Sequence, residues 1–259
     1  MQTVKFTLLG TGTSSGVPLI ACNCDTCIST DIKDKRLRCS LLMESPKSTI
    51  LVDTSLDFRQ QMLLYQVKNI DAIIFTHHHF DHIGGFDDIR AFNFINNKPI
   101  DIYANQTTMK NLNRVYEYAF STPEQMGGGV PMINPYIIHN DELVINDLVI
   151  QLIKMKHGKL DVLGLRVGDF AYLTDTNYIP DESLQKLMGL EVLVIDALRF
   201  DQHPTHFNVS QALEVIDVLK PHKSYLTHIA HQLKHKETEN ILPPNVFLSF
   251  DGINFELPL

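Results

Sequence analysis

Short runs of Val, Ile, Leu and Phe recur along the chain, each closed by turn residues. Such bounded apolar runs predict strands. They fall at Val4–Leu9, Ser40–Glu44, Thr49–Val52, Ala72–Phe75, Ile100–Ala104, Leu148–Lys154, Val162–Val167, Phe170–Leu173, Val192–Ile195, Lys223–Leu226 and Val246–Phe250. Helical spacing predicts helices over Asp57–Val67, Gln106–Phe120, Asp181–Met188, Val209–Leu219 and Lys234–Ile241. The fourth is the best marked, because Asn208 and Gln211 have the spacing of a capping box. Strand-to-strand turns are often too short for a crossover helix, and strict βαβ alternation is absent. The pattern therefore predicts two mixed sheets packed together and covered outside by helices, an α+β architecture. No repeat divides the chain, so 1–259 reads as one domain, with 93–139 as an insertion or lid.

Composition adds boundaries to this picture. A chain of 259 residues with 44% apolar and 20% charged positions has enough core to fold without disulfides. Its net charge of −8 gives no general basic field for nucleic acid. No apolar stretch approaches the ~20 residues of a membrane helix. The opening residues show no charged leader before a long apolar run. A cytoplasmic protein with no membrane partner is the expectation.

Twelve histidines stand out. Thr76-His77-His78-His79-Phe80-Asp81-His82 follows a strand and precedes Gly84-Gly85. A loop at the end of a buried strand aims imidazoles and a carboxylate at one point, and this donor mixture suits zinc, iron or manganese. So many ligands in one short loop exceed what a single tetrahedral ion takes, which points to two ions. His77 and His79 would serve one, Asp81 and His82 the other. His78 should point away. His157, Asp175 and His228 also stand at strand ends and complete a candidate set.

This series resembles the metallo-β-lactamase superfamily over essentially the whole chain. The resemblance implies a four-layer αββα sandwich with two divalent ions, zinc or manganese. His77, His79 and His157 would hold one, Asp81, His82 and His228 the other, with Asp175 bridging. Asp53, ending the strand Thr49–Val52, would orient the histidine loop.

Cys22-Asn23-Cys24-Asp25-Thr26-Cys27 offers three thiolates with the spacing of a metal knot. A closed structural zinc needs a fourth ligand, for which Cys39 and His231 are the choices. Joined to the histidine series, the knot is similar to the cyclic-phosphate phosphodiesterases of the carbon–phosphorus lyase pathway. That branch implies a structural zinc on Cys22, Cys24, Cys27 and His231. It also implies catalytic parts for Asp81 and for His206, a leaving-group residue, with His203 as the competing assignment. The implied substrate is a small phosphorylated molecule such as phosphoribosyl 1,2-cyclic phosphate.

The alternatives are an RNA-processing endonuclease of the tRNA 3′-end type, or another hydrolase of the metallo-β-lactamase fold with an unknown substrate. The neutral charge balance of 93–139 weighs against the basic arm such an endonuclease uses. Gly10-Thr11-Gly12-Thr13-Ser14-Ser15-Gly16 follows a strand but does not open a helix, so it fails as a dinucleotide fingerprint. Val115-Tyr116-Tyr118-Phe120 has two readings, a core stripe or a homodimer contact.

Overall fold

The computed structural model describes residues 3–121 and 129–259. Among them, the first half supplies β1 (Thr3–Gly10), β2 (Ser40–Glu44), β3 (Thr49–Val52), β4 (Ala72–Ile74), β5 (Ile100–Ala104) and β6 (Ile133–Ile137). The second half supplies β7 (Glu142–Ile145), β8 (Leu148–His157), β9 (Leu160–Val167), β10 (Phe170–Leu173), β11 (Val192–Asp196), β12 (Lys223–Thr227), β13 (Val246–Leu248) and β14 (Asn254–Pro258). The helices are α1 (Asp25–Ile28), α2 (Phe58–Leu64), α3 (Phe80–Ile83), α4 (Arg90–Asn96), α5 (Gln106–Val115), α6 (Glu117–Phe120), α7 (Asp181–Gln185), α8 (Val209–Leu219) and α9 (His235–Glu239).

The strands form two sheets of mixed direction, ordered β14-β1-β2-β3-β4-β5-β6 and β13-β12-β11-β10-β9-β8-β7. Alternate residues explain the layers. In β2, Leu41 and Met43 face the other sheet while Leu42 packs under the helices. In β11, Val192 and Val194 face inward while Leu193 and Ile195 meet the outer helices. Both faces are buried, so these strands read as continuous apolar runs. Phe6 of β1 stacks on Phe170 of β10 at 3.9 Å, joining the sheets. Outside, Phe58 and Met62 of α2 and Leu112 of α5 cover one sheet. Ala212, Ile216 and Leu219 of α8 cover the other. This is the αββα sandwich.

α8 begins as the sequence predicts, with the Asn208–Gln211 capping box in place. The predicted helix Gln106–Phe120 breaks at Tyr116, whose hydroxyl donates to the Ile83 carbonyl at 2.8 Å. Tyr116 and Phe120 pack into the core beneath the helices, whereas Val115 and Tyr118 are exposed. Segment 93–139 contributes β5 and β6 to the first sheet; its residues 122–128 lie outside the described residues. Among the described residues no helix is long and apolar enough to cross a membrane.

Candidate metal centre

The topology brings the predicted residues to one edge. β3 and β4 run parallel, as do β10, β11 and β12, so their C-terminal ends point the same way. Asp53 follows β3, and His77–His82 follow β4. Asp175 follows β10, Asp196 ends β11, and His228 follows β12. Asp53, Asp175 and His228 have φ of 62°, 54° and 57°, left-handed values that non-glycine residues rarely adopt.

Two groups of donor atoms result. His77, His79 and His157 form one, with ring centroids 4.6 to 5.6 Å apart. Asp81, His82, Asp175 and His228 form the other. Asp175 is also within reach of His157 and His206, so its carboxylate lies between the groups. Its Oδ2 stands 3.2 Å from His82 Nε2 and its Oδ1 3.1 Å from His228 Nε2. His78 belongs to neither group.

The rings are held from behind. His82 Nδ1 donates to Asp53 Oδ2 at 2.7 Å. The Thr76 hydroxyl donates to the same oxygen and accepts from His77 Nδ1 at 3.0 Å. His157 Nδ1 donates to the Thr205 carbonyl at 2.6 Å. Each arrangement turns Nε2 toward the shared space and fixes the tautomer a ligand needs. His77 Nε2 and His228 Nε2 are buried without a hydrogen-bond partner. Orphaned imidazole nitrogens facing buried carboxylates are the donor set of a divalent-metal site, and the residues fit such ions.

The electrostatics agree. Burial holds the His77, His79 and His157 rings below their usual range, the neutral form a metal requires. Burial would also depress His228, but the facing Asp175 carboxylate overrides it and pushes the ring up to about 9. His82 is likewise driven upward against burial by Asp175, Asp81 and Asp53. Protons thus occupy the carboxylate-rich group of the metal-free chain.

Two residues escaped the sequence reading. Asp196 is fully buried, and its Oδ2 accepts from His206 Nδ1 and from the Thr176 amide, both at 2.8 Å. His206 stacks 4.5 Å from His228 and lies 4.4 Å from His157, while His203 stands one ring farther out, 5.1 Å from His206. The available signal was a carboxylate closing an apolar strand, as Asp53 does. Arg36 is the other. Buried and paired with Asp34, it donates to the Leu233 carbonyl at 2.8 Å and fastens the segment after His228.

The cysteines converge as well. Cys22, Cys24 and Cys27 group with His231, whose Nδ1 lies 3.4 Å from Cys22 Sγ and 3.3 Å from Cys24 Sγ. The Cys27 backbone amide and the His231 ring lower the Cys24 thiol to about 6, while burial raises Cys27 to about 11. Three thiols and an imidazole are the chemistry of a closed zinc site. Cys39 is elsewhere, buried against the Thr227 hydroxyl. The glycine loop lies beside the same region. Gly12 bridges both Arg38 and Ile229, and a Cβ there would strike the Arg36 carbonyl at 2.9 Å.

The fold and these paired His/Asp groups define the class: a metallo-β-lactamase-fold protein whose clustered donors could hold divalent metal. Residues 48–229 match the Beta-lactamase superfamily domain. A crystal structure described as a new diphosphatase from the PhnP family is 37% identical, with a TM-score of 0.93, covering 99% of this chain and 98% of that one. The chain therefore belongs to the β-lactamase superfamily and stands with the PhnP family inside it. An octanoyltransferase of Porphyromonas gingivalis is 36% identical over 250 residues, 95% of this chain and 50% of that protein. The chain thus spans half the length of that relative. Human tRNase Z, short form, shares the fold at 17% identity and a TM-score of 0.69, over 98% of this chain and 100% of its own.

Proposed function

We propose that the protein is a dinuclear metal-dependent phosphodiesterase acting on a small phosphorylated molecule, with a cyclic phosphate such as phosphoribosyl 1,2-cyclic phosphate as the leading candidate. His77, His79 and His157 would hold one ion, and Asp81, His82 and His228 the other, with Asp175 shared. When bound, such a pair supplies Lewis acidity and activates water near neutral pH. Cys22, Cys24, Cys27 and His231 would hold a structural zinc that ties the first loop to the one carrying His228.

The chain's own groups account for the rest. Hydrolysis adds water to phosphorus and must deliver a proton to the departing oxygen. His206 gives its Nδ1 proton to Asp196 in a hydrogen bond, which leaves Nε2 for that proton transfer. The observation that carries this reading is the Asp196–His206 pair standing in ring contact with members of both metal groups. The diphosphatase of the PhnP family supports phosphorus chemistry for this chain.

The test is turnover by the metal-loaded protein of cyclic phosphoribose, a 2′,3′-cyclic nucleotide and an aryl phosphodiester. Hydrolysis of a cyclic ester is expected, and inertness toward all three refutes the proposal. His206→Ala should keep its metal and lose about 10²–10⁴-fold in turnover. Unchanged turnover would remove His206 from the mechanism.

A further inference from the structure

Three buried carboxylates stand at the centre, and the chain holds them unequally. Asp53 accepts from the Thr76 amide, the Thr76 hydroxyl and His82 Nδ1. Asp196 accepts from His206 Nδ1 and the Thr176 amide. Asp175 is different. Its Oδ1 faces His228 Nε2 at 3.1 Å and its Oδ2 faces His82 Nε2 at 3.2 Å, and both nitrogens are candidate ligand atoms. An imidazole nitrogen that binds an ion has no proton to donate, so neither contact can hold the carboxylate once metal is present. Among the described residues one hydrogen bond is left. The Thr174 hydroxyl donates to Asp175 Oδ2 at 2.6 Å.

The surroundings give this bond its direction. Thr174 is buried directly after β10, beside the buried Cys39 thiol and Tyr172 hydroxyl. Burial pushes Cys39 up to about 12 and Tyr172 well above its usual range. Both therefore keep their protons, and neither is an anion that competes with Asp175 for the Thr174 proton. Asp175 has the left-handed φ of 54°, which fixes its backbone but leaves the carboxylate to turn about χ2, a torsion with a broad profile. The next residue gives no second donor. The Thr176 amide is taken by Asp196, and its hydroxyl donates to the Lys156 carbonyl at 3.0 Å, just before His157.

We propose that Thr174 is a positioning residue whose hydroxyl sets the plane of the Asp175 carboxylate, so that this one side chain can serve both groups of donors. This rests on the two-metal reading. A hydroxyl suits the task because it orders the carboxylate without adding a positive charge. A lysine or arginine in the same place would repel the cations that Asp175 is there to hold. The residues flanking Asp175 thus divide the work: Thr174 aims the shared carboxylate, while Thr176 steadies Asp196 and the strand end that bears His157.

Thr174→Val keeps the volume and the β-branch and removes only the hydroxyl, whereas Thr174→Ser keeps the hydroxyl. The test is a cobalt(II) titration of the metal-free full chain followed by visible absorption, in which thiolate charge-transfer bands separate the cysteine cluster from the His/Asp groups. Thr174→Val should bind cobalt at the His/Asp groups roughly 10–100-fold more weakly, with the thiolate signal unchanged. Thr174→Ser should restore most of that loss. Unchanged affinity in Thr174→Val overturns the proposal. So does an equal loss in both variants, which assigns the effect to packing. If Thr174→Val does not fold, Thr174→Ala is compared with Thr174→Ser by the same criteria. An unmodified chain that takes up fewer than two cobalt ions outside the thiolate signal removes the two-metal reading itself, and the proposal falls with it.

Discussion

Asp53→Asn keeps the shape of a fully buried side chain and changes only what it can accept. In the structure Oδ1 takes the Thr76 amide at 2.8 Å. Oδ2 takes both the Thr76 hydroxyl at 2.8 Å and His82 Nδ1 at 2.7 Å. Asparagine preserves the first bond but sets an NH2 against two donors. The Thr76 hydroxyl can rotate away, whereas the imidazole escapes only by moving its proton to Nε2. That nitrogen is the one facing Asp81 and Asp175, where an ion would bind. Losing such an orienting partner typically weakens metal binding about 10–100-fold. The lost charge-assisted hydrogen bond costs about 1.5–3 kcal/mol of stability. Burial raises the pKa of Asp53, a sign that its charge is held at a cost, so the net loss falls toward the lower end of that range. Competition with a chromophoric chelator measures the first quantity, and urea unfolding of the metal-free protein the second. Wild-type metal affinity in Asp53→Asn would show that the ring does not depend on this carboxylate.

Metal uptake should tighten as pH rises and release protons, since an ion must displace the proton that His228, pushed up to about 9, carries at neutral pH. Calorimetry in buffers of different ionisation heat reads this directly, and pH-independent uptake contradicts it. The sign for folding follows from the same ring. Its folded value exceeds its unfolded one, so its contribution to metal-free stability is complete below the usual histidine range and disappears as pH rises through about 9. The melting temperature of the metal-free chain should therefore fall between pH 7 and 9, and a rise would refute the assignment. Cys24→Ser removes the thiol lowered to about 6 and should lower zinc content by one ion per chain while lowering the melting temperature. Elemental analysis showing full zinc would count against a structural knot.

Most of the sandwich was legible because strands buried on both faces announce themselves as apolar runs. Those left out lack that signature. β6 contains Asn134 and Pro135 and is largely exposed, β7 is a four-residue strand with Glu142 and Val144 exposed, and β14 alternates exposed and half-buried residues beside β1. α3 is a single turn whose N-cap, His79, makes no side-chain capping bond, so it carries no helix-start signal in the sequence. The candidate ligand positions stood out for a different reason, since they cluster at or just after the ends of strands that the sequence marks clearly. Asp196 has the same position but belongs to no His-x-His pattern, and only the fold brings it to His206.

The left-handed residues could not be read at all, and their cause explains why. A glycine at 53, 175 or 228 would adopt those φ values freely. It would also remove a carboxylate or imidazole from the centre. The chain keeps the functional side chain and accepts strain of order 1–3 kcal/mol at each position. The neighbouring backbone offsets it. The Asp53 amide donates to the Ile74 carbonyl at 3.0 Å, and the Ile229 amide, next to His228, donates to the Thr11 carbonyl at 2.9 Å. Thr176, next to Asp175, donates its amide to Asp196 at 2.8 Å. Each bond joins segments distant in sequence, so the strained conformation is fixed by the assembled sheets and not by local preference. The centre is therefore a product of the whole sandwich: its donors are written in single residues, while their aim is set by hydrogen bonds that exist only after both sheets have formed.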